Sequence, residues 1–297
     1  MKSLATADRS MGLSFDDLYA DVPADQREAL RAFRQSERQT EIDLDGREWR
    51  YVVSGHGPET VVFLPGAFAR ADIWLRSILA LEREYKVLAI DASLEVFDAE
   101  RFCDAVLAIA DHEGVDRFTA VGTSYGGGLV QYLLGHHSHR LDHAVLSHCT
   151  AVSPRTGTVM RRIRRVVGLI PAFLINGALH RRRRPLPYDS PCTGFATAYM
   201  RELGGPVDKK VLRRFLDQTI ESTPTFRHDP SALAAWPGRI LILTSKGDPT
   251  SFPRLNELTE RYPSAEVHVF DEGGHATVLV FPDRVSDVLG ALLSPDA

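Results

Sequence analysis

Short apolar runs alternate with helical patterns along most of this chain. Val61–Leu64, Lys86–Ile90 and Phe118–Val121 each end at a Pro, Asp or Gly, and a stretch of helical periodicity follows each of them. Runs this short and this apolar are typical of strands buried on both faces. Because such strands alternate with amphipathic helices, the pattern predicts an α/β fold with a parallel sheet covered on both sides.

Further elements extend this sheet at both ends. Glu41–Leu44 and Trp49–Val53, joined through Asp45-Gly46, predict a β-hairpin ahead of the parallel strands. Leu141–Leu146 continues the strand series, which resumes at Arg239–Thr244 and Glu266–Phe270. A final helix carries an apolar stripe at i, i+3, i+4 and i+7, formed by Val285, Val288, Leu289 and Leu292.

The alternation stops for about eighty residues in the middle of the chain, which is long for a connection inside a sheet. We therefore predict a mostly parallel central sheet with an inserted helical cap. The predicted organisation is an N-terminal extension (1–38), a first core part (39–150), the cap (151–230) and a second core part (231–297). In the extension, Pro23 can open a short helix, for which the alternatives are packing on the core or a partly disordered arm.

The strand Phe118–Val121 runs directly into Gly122-Thr123-Ser124-Tyr125-Gly126 and then into an apolar helix. A G-x-S-x-G segment between a buried strand and a helix is typical of a strained turn that exposes a nucleophilic serine. Ser124 is therefore the candidate nucleophile, and the amide of Tyr125 points where an oxyanion would form. The second oxyanion donor is expected in the loop after Val61–Leu64, where the amide after Gly66 belongs to Ala67.

A serine hydroxyl needs a base, and the base needs a residue that orients it. Asp248 follows the strand that ends near Thr244, and His275 follows the next strand and two glycines. This chain order of serine, acid and histidine predicts Asp248 as the acid and His275 as the base. The strand ending near His148 offers no carboxylate, and Asp271 lies too close in sequence to His275 to be favoured.

Together these features resemble the α/β-hydrolase superfamily from about Val61 to the C-terminus. Four segments resemble its maspardin-type branch: Phe63-Leu64-Pro65-Gly66, Ala71-Asp72-Ile73-Trp74, Phe102-Cys103-Asp104 and Leu169-Ile170-Pro171-Ala172-Phe173. In that branch, maspardin lacks the histidine matching His275 and is regarded as an adaptor. This sequence has His275, which favours catalysis. It departs from many hydrolases after the second parallel strand, where it reads Asp91-Ala92-Ser93-Leu94.

Composition adds few constraints. A net charge of −4 does not favour nucleic acid as a partner. Cys103, Cys149 and Cys192 are too few and scattered for a disulfide framework or a zinc site, and no metal or organic cofactor is expected. The N-terminus lacks a secretory apolar run and no stretch reaches the ~20 apolar residues of a membrane span, which predicts a cytoplasmic protein.

The predicted cap is strongly basic, with 15 Lys and Arg against 6 Asp and Glu. Arg161, Arg162, Arg164 and Arg165, followed by Arg181 to Arg184, supply most of this charge. Pairing with the acidic core is the preferred interpretation, attraction of an anionic substrate is the second, and membrane contact through the basic cap is the least favoured.

The sequence thus predicts a serine hydrolase that acts on a small carboxylic ester, lactone or thioester through an acyl-enzyme on Ser124. The alternatives are a non-catalytic adaptor like maspardin, or carbon–carbon bond hydrolysis, lyase or cyclase chemistry at the same site. Substrate identity and oligomeric state stay open.

Overall fold

The computed structural model describes residues 14–171, 185–204 and 208–294. Its strands are β1 (Gln39–Leu44), β2 (Arg47–Ser54), β3 (Thr60–Leu64), β4 (Lys86–Ile90), β5 (Phe118–Thr123), β6 (Leu141–Ser147), β7 (Ile240–Ser245) and β8 (Glu266–Phe270). They form one sheet in the order β1-β2-β4-β3-β5-β6-β7-β8. β2 pairs antiparallel with β1 and with β4, and all other neighbours are parallel.

The helices connect and cover these strands. In chain order they are α1 (Phe15–Leu18), α2 (Ala24–Gln35), α3 (Leu75–Leu81), α4 (Ala99–His112), α5 (Tyr125–His136), α6 (Pro154–Leu169), α7 (Thr193–Leu203), α8 (Lys209–Ser222), α9 (Pro230–Ala235), α10 (Leu255–Arg261), α11 (Thr277–Val280) and α12 (Pro282–Leu293). This architecture confirms the predicted mostly parallel α/β sheet and places every predicted strand.

The predicted hairpin forms at Asp45-Gly46. Both residues have positive φ, 53° and 76°, which is the geometry of a two-residue turn that follows the twist of the paired strands. Leu44 and Arg47 are the last paired residues on either side of the turn. The amide of Gly46 donates to the Asp43 carboxylate at 2.9 Å, which satisfies a turn N–H that the ladder leaves unpaired.

Two cores lie on opposite faces of the sheet, because alternate strand residues point to opposite sides. In β3, Val61 and Phe63 join the core that also holds Trp74 and Leu289, whereas Val62 and Leu64 join the core of Phe102 and Leu133. All five residues of β3 are buried. The continuous apolar runs in the sequence therefore correspond to strands covered on both faces.

The N-terminal segment packs on the first of these cores, since Leu30 and Phe33 of α2 are buried there. Arg34 of α2 lies between two carboxylates. Its Nε is 2.6 Å from Asp72 Oδ2, and its terminal nitrogens are 2.9 and 3.0 Å from the carboxylate of Glu202 in α7. The ion pairs thus join the N-terminal segment, the sheet domain and the segment between β6 and β7.

The segment between β6 and β7 holds α6, α7, α8 and α9, so α9 crosses the boundary predicted at residue 230. Residues Ala172, Phe173 and Arg181 to Arg184 of the sequence patterns above lie outside the described residues. None of the helices described has the length and apolar character needed to cross a membrane.

Candidate active site

Ser124 stands at the turn between β5 and α5 in a strained conformation, with φ 55° and ψ −113°. The turn is tight enough to require its glycines. A Cβ at Gly122 would lie 2.2 Å from the carbonyl oxygen of Gly126, and one at Gly126 would lie 2.4 Å from that of Leu64. The Ser124 amide donates to the Ser147 carbonyl of β6 at 2.9 Å, so the neighbouring strand also fixes the turn.

The structure brings Ser124 together with the two partners predicted from the sequence. His275 Nε2 lies 3.0 Å from Ser124 Oγ, and His275 Nδ1 lies 2.8 Å from Asp248 Oδ2. Asp248 is buried, whereas the His275 side chain is 41% exposed and Ser124 is half-buried. The serine and imidazole thus face a space that a substrate can enter, while the carboxylate stays away from water. Asp271 instead pairs with Lys246 at the surface.

The Asp248 carboxylate is held as an anion by four donors. Oδ2 accepts from His275 and from Ser251 Oγ at 2.6 Å, while Oδ1 accepts from the amides of Thr250 and Ser251 at 2.8 and 3.3 Å. Burial by itself would raise the pKa of Asp248. The hydrogen bond and charge of His275, together with the bonds from Ser251 and Thr250, outweigh burial and hold that pKa well below its usual range.

Both predicted oxyanion donors lie beside the nucleophile. Tyr125 is the first residue of α5, so its amide lacks an intrahelical acceptor. The loop after β3 touches the serine, because a Cβ at Gly66 would lie 3.6 Å from Ser124 Cβ, and Ala67 follows in that loop. Neither amide has a hydrogen-bond acceptor within the part of the chain that the structure describes. The next residue, Phe68, has a positive φ of 66°.

Asp91 supports the same loop from the end of β4. Its carboxylate accepts the amide of Ala71 at 2.7 Å, and the Ala92 amide donates to the Ala69 carbonyl at 3.0 Å. Burial raises the pKa of Asp91 to about 6, although the Ala71 amide and the charge of Arg70 act in the opposite direction. The sequence at this position departs from the common hydrolase pattern, yet the residue still braces the loop that carries Ala67.

An aromatic cluster beside the serine was not predicted from the sequence. Phe215 of α8 packs edge-on against Phe68, Phe97 and Tyr125, with ring centroids 5.2 to 5.8 Å apart. Tyr125 donates its hydroxyl to the Phe97 carbonyl at 2.9 Å, so its ring packs in this cluster. Helical periodicity alone marks Phe215 as an apolar position, but only the fold shows which wall it joins.

Tyr188 also approaches the site. A Cβ at Gly274 would lie 2.3 Å from the Tyr188 hydroxyl oxygen, and one at Gly247 would lie 3.5 Å from it. These glycines directly precede His275 and Asp248. The segment between β6 and β7 therefore reaches Tyr125 through Phe215, and the glycines before His275 and Asp248 through Tyr188.

The arginines of α6 differ in their partners. Arg164 pairs with Asp217 of α8 at 2.6 Å, and Arg155 pairs with Glu257 of α10 at 3.2 Å. Arg162 and Arg165 are exposed and have no carboxylate partner among the described residues, and Arg161 bonds only the Thr158 hydroxyl there. Arg181 to Arg184 lie outside the described residues.

The three cysteines form no disulfide. Cys103 and Cys149 are buried and Cys192 is half-buried, and all three are free thiols. In residues 14–171, 185–204 and 208–294, no group of three or more His, Cys, Asp or Glu side chains is arranged to hold a metal ion.

Comparison with known proteins identifies the family of this chain. The model of the alpha/beta hydrolase family matches residues 61–288, and the chain belongs to this family. Human maspardin is 29% identical over 143 residues, which cover 45% of this chain and 44% of maspardin. The chain spans between 26% and 52% of the length of the curated relatives that it matches.

Solved structures also share the fold, and two of them serve as examples. A hydrolase from Pseudomonas aeruginosa PA01 has a TM-score of 0.68 and 17% identity, covering 88% of this chain and 100% of that chain. The enol-lactonase from Burkholderia xenovorans LB400 has a TM-score of 0.66 and 16% identity, covering 86% and 99%. At this identity the likeness establishes the fold.

Proposed function

We propose that this protein is a serine hydrolase that cleaves a small carboxylic ester, lactone or thioester through an acyl-enzyme on Ser124. The observation that carries the proposal is the continuous hydrogen-bonded series Ser124–His275–Asp248, with distances of 3.0 and 2.8 Å. An adaptor has no need for an imidazole aligned between a strained serine and a buried, four-times hydrogen-bonded carboxylate.

The roles follow from the hydrogen-bond directions. An ionised Asp248 can only accept, so His275 Nδ1 carries the proton and Nε2 is free to accept the proton of Ser124. Ser124 Oγ attacks the acyl carbon while Nε2 takes its proton, and the amides of Tyr125 and Ala67 stabilise the oxyanion. The imidazolium then protonates the leaving oxygen or sulfur. Water, deprotonated by His275, attacks the acyl-enzyme and releases the acid and Ser124.

The substrate class is supported by the surroundings of the serine. Phe68 and Phe215 offer an apolar wall on the oxyanion side, which suits the carbon chain of an acyl group. The Burkholderia structural neighbour is an enol-lactonase, which agrees with an ester or lactone substrate. In this proposal the segment 151–230 acts as a lid, which the contact of Phe215 with Tyr125 and the approach of Tyr188 to Gly274 support.

Covalent labelling tests the proposal. Fluorophosphonate should label the wild-type protein, and labelling should be lost in Ser124→Ala and in His275→Ala. Ser231→Ala, a change at an exposed serine of α9, serves as the control and should label like wild type. A folded wild-type protein that stays unlabelled would overturn the hydrolase and favour the adaptor.

Product analysis then defines the reaction. A panel of acyl esters, lactones and thioesters should give the free acid with Ser124-dependent turnover. Labelled protein that turns over none of the panel, but cleaves a carbon–carbon bond or cyclises a substrate, would assign the triad to that other chemistry.

A further inference from the structure

His148 is a buried histidine that directly follows β6 and lies close to the triad, but its side chain is hydrogen-bonded to Ser147 and Thr277 and not to a triad residue. It is 1% exposed and adopts a positive φ of 47°, a conformation that costs energy in a residue with a Cβ. Its ring centroid lies 6.3 Å from that of His275, with the planes nearly perpendicular. The role assigned to the triad leaves this residue unexplained.

The hydrogen bonds of His148 form a chain with one defined direction. His148 Nε2 lies 3.0 Å from Thr277 Oγ1, and Thr277 Oγ1 donates to the Gly274 carbonyl at 2.7 Å. A hydroxyl has one proton, so Thr277 must accept from a protonated His148 Nε2. His148 Nδ1 then accepts the proton of Ser147 Oγ, 2.9 Å away.

The chain ends on the peptide group that leads into the catalytic imidazole. Gly273 and Gly274 have φ values of 109° and 58°, so the loop before His275 depends on a backbone that is intrinsically flexible. The Gly274 carbonyl is held by Thr277, and the Gly274 amide donates to Ser245 Oγ at 3.1 Å. Both polar groups of Gly274 are thus fixed to buried side chains, one at the end of β7 and one in α11.

We infer that His148 and Thr277 are positioning residues that hold the Gly274–His275 loop so that the imidazole stays between Asp248 and Ser124. The inference deepens the proposed hydrolase function and rests on it for the kinetic effects. The anchor is shared with the nucleophile, because the Ser147 carbonyl accepts the Ser124 amide while the Ser147 hydroxyl begins the chain. One end of β6 therefore sets the distance between serine and histidine.

The chemistry of an imidazole suits this place. It reaches across from β6 to Thr277 with an acceptor at one nitrogen and a donor at the other, and it stays neutral. Burial and the charge of His275 together lower the pKa of His148 to about 4, while Asp248 acts in the opposite direction. A neutral partner avoids placing a second cation beside the imidazolium that forms during catalysis.

Thr277→Val is the decisive change because it keeps the shape of the side chain and removes only the hydroxyl. We expect kcat for the best ester to fall about 10- to 100-fold, since small displacements of a catalytic group have such effects. KM should stay within about twofold. Thr277→Ser restores the hydroxyl and should recover kcat, which loss of packing would not explain. Thr119→Val, at a buried threonine at the other end of β5, is the control and should leave kcat unchanged.

A second readout needs no substrate. The proton between His275 Nδ1 and Asp248 should give a downfield resonance in the NMR spectrum of wild type and Thr277→Ser. It should broaden or vanish in Thr277→Val. If Thr277→Val fails to fold, two other variants test the same role. His148→Gln keeps a donor to Thr277, whereas Ser147→Ala removes the donor to His148. We expect the larger loss of kcat and of the resonance in Ser147→Ala.

Unchanged kcat and an unchanged resonance in the folded variant would overturn the positioning role. If the wild type is never labelled by fluorophosphonate, the hydrolase function fails, and the resonance alone then decides whether Thr277 and His148 hold His275. The two failures are therefore distinguishable.

Discussion

Polar side chains are buried and hydrogen-bonded at the triad corner, which is where β5, β6, β7 and β8 end. On the exposed face of α6, polar side chains are in contact with water. At the corner, Asp248, His148 and Thr277 are almost completely buried, and each has a defined hydrogen-bond partner. On α6, Arg162 and Arg165 have no carboxylate partner in the described part of the chain, beside Val166 and Leu169, which are 53% and 87% exposed.

The difference follows from solvation. A buried polar group without a partner costs about 1–3 kcal/mol, which is why the buried side chains of Asp248, His148 and Thr277 are each hydrogen-bonded. A guanidinium in water loses little by being unpaired, and a surface ion pair would add about 0–1 kcal/mol. The side chains at the triad corner therefore act through their precise positions. Single substitutions there should displace the catalytic groups and strongly lower activity. Side chains on the exposed face of α6 can act only through charge or contact with another molecule, and single substitutions on that face should change activity and stability little.

The largest effect is expected at the acid. Asp248→Asn should lower kcat about ten-thousand-fold, because the amide favours the wrong tautomer of His275 and no longer stabilises the imidazolium. KM should change little. Asp271→Asn, four residues before His275 on the exposed surface, is the matched control and should keep its activity. If kcat fell as much in Asp271→Asn as in Asp248→Asn, the assignment of Asp248 as the acid would be wrong.

The unpaired arginines test whether α6 acts at a distance. If they attract anionic substrates, Arg162→Ala combined with Arg165→Ala should lower kcat/KM for a carboxylate-bearing ester about three- to tenfold at low salt. The difference should disappear at high salt, where charges are screened, and a neutral ester should show none. The control is Arg47→Ala with Arg83→Ala, two exposed arginines of the sheet domain. Equal salt dependence in all three proteins would rule out steering by these two residues.

Asp91, which follows β4 and braces the loop of Ala67, gives a stability test. Its folded pKa of about 6 exceeds an unfolded value of about 3.9, so the folded state is favoured below about pH 4 and loses that contribution as pH rises through 6. Asp91→Asn keeps an acceptor for the Ala71 amide but does not titrate. At pH 7 its Tm should exceed that of wild type by about 2–5 °C, and the gap should close towards pH 4.

Exposed Asp116→Asn is the control for this titration and should shift Tm equally at both pH values. A gap between Asp91→Asn and wild type that widened towards pH 4 would contradict the raised pKa.

The smallest effect is expected on the exposed face itself. Leu169→Ala should change the free energy of unfolding by less than about 0.5 kcal/mol. Val167→Ala, two residues earlier but on the buried side of α6, should cost about 1–3 kcal/mol. Chemical denaturation measures both, and a large cost at Leu169 would mean that this face is covered in solution.

Much of the fold was predictable because its signals are local. The apolar runs of β3, β4 and β5 and the Asp45-Gly46 turn each contain enough information within a few residues to define their elements. The turn around Ser124 was predictable for the same reason, and the chain order of Asp248 and His275 placed their side chains at the same edge of the sheet.

Other features depend on residues far apart in the chain. Phe215 and Phe68 are 147 positions apart, and His148 and Thr277 are 129 apart. No periodicity links such pairs, since each contact arises only when separate strands and helices pack. Among the described residues, three of the four non-glycine residues with positive φ, Phe68, Ser124 and His148, lie around the site. Of these three residues, Ser124 is the one whose strained backbone was predicted from a sequence motif.

Local sequence signals were therefore sufficient to predict the layered α/β sheet, the order of its strands along the chain, and the residues that meet as Ser124, Asp248 and His275. Periodicity, turn chemistry and motif spacing are properties of neighbouring residues. The tertiary structure alone decided how the loop of His275 is held, which aromatic rings line the serine, and which arginines stay unpaired. These depend on burial and on partners brought together across the fold, where the cost of an unpaired polar group selects the arrangement.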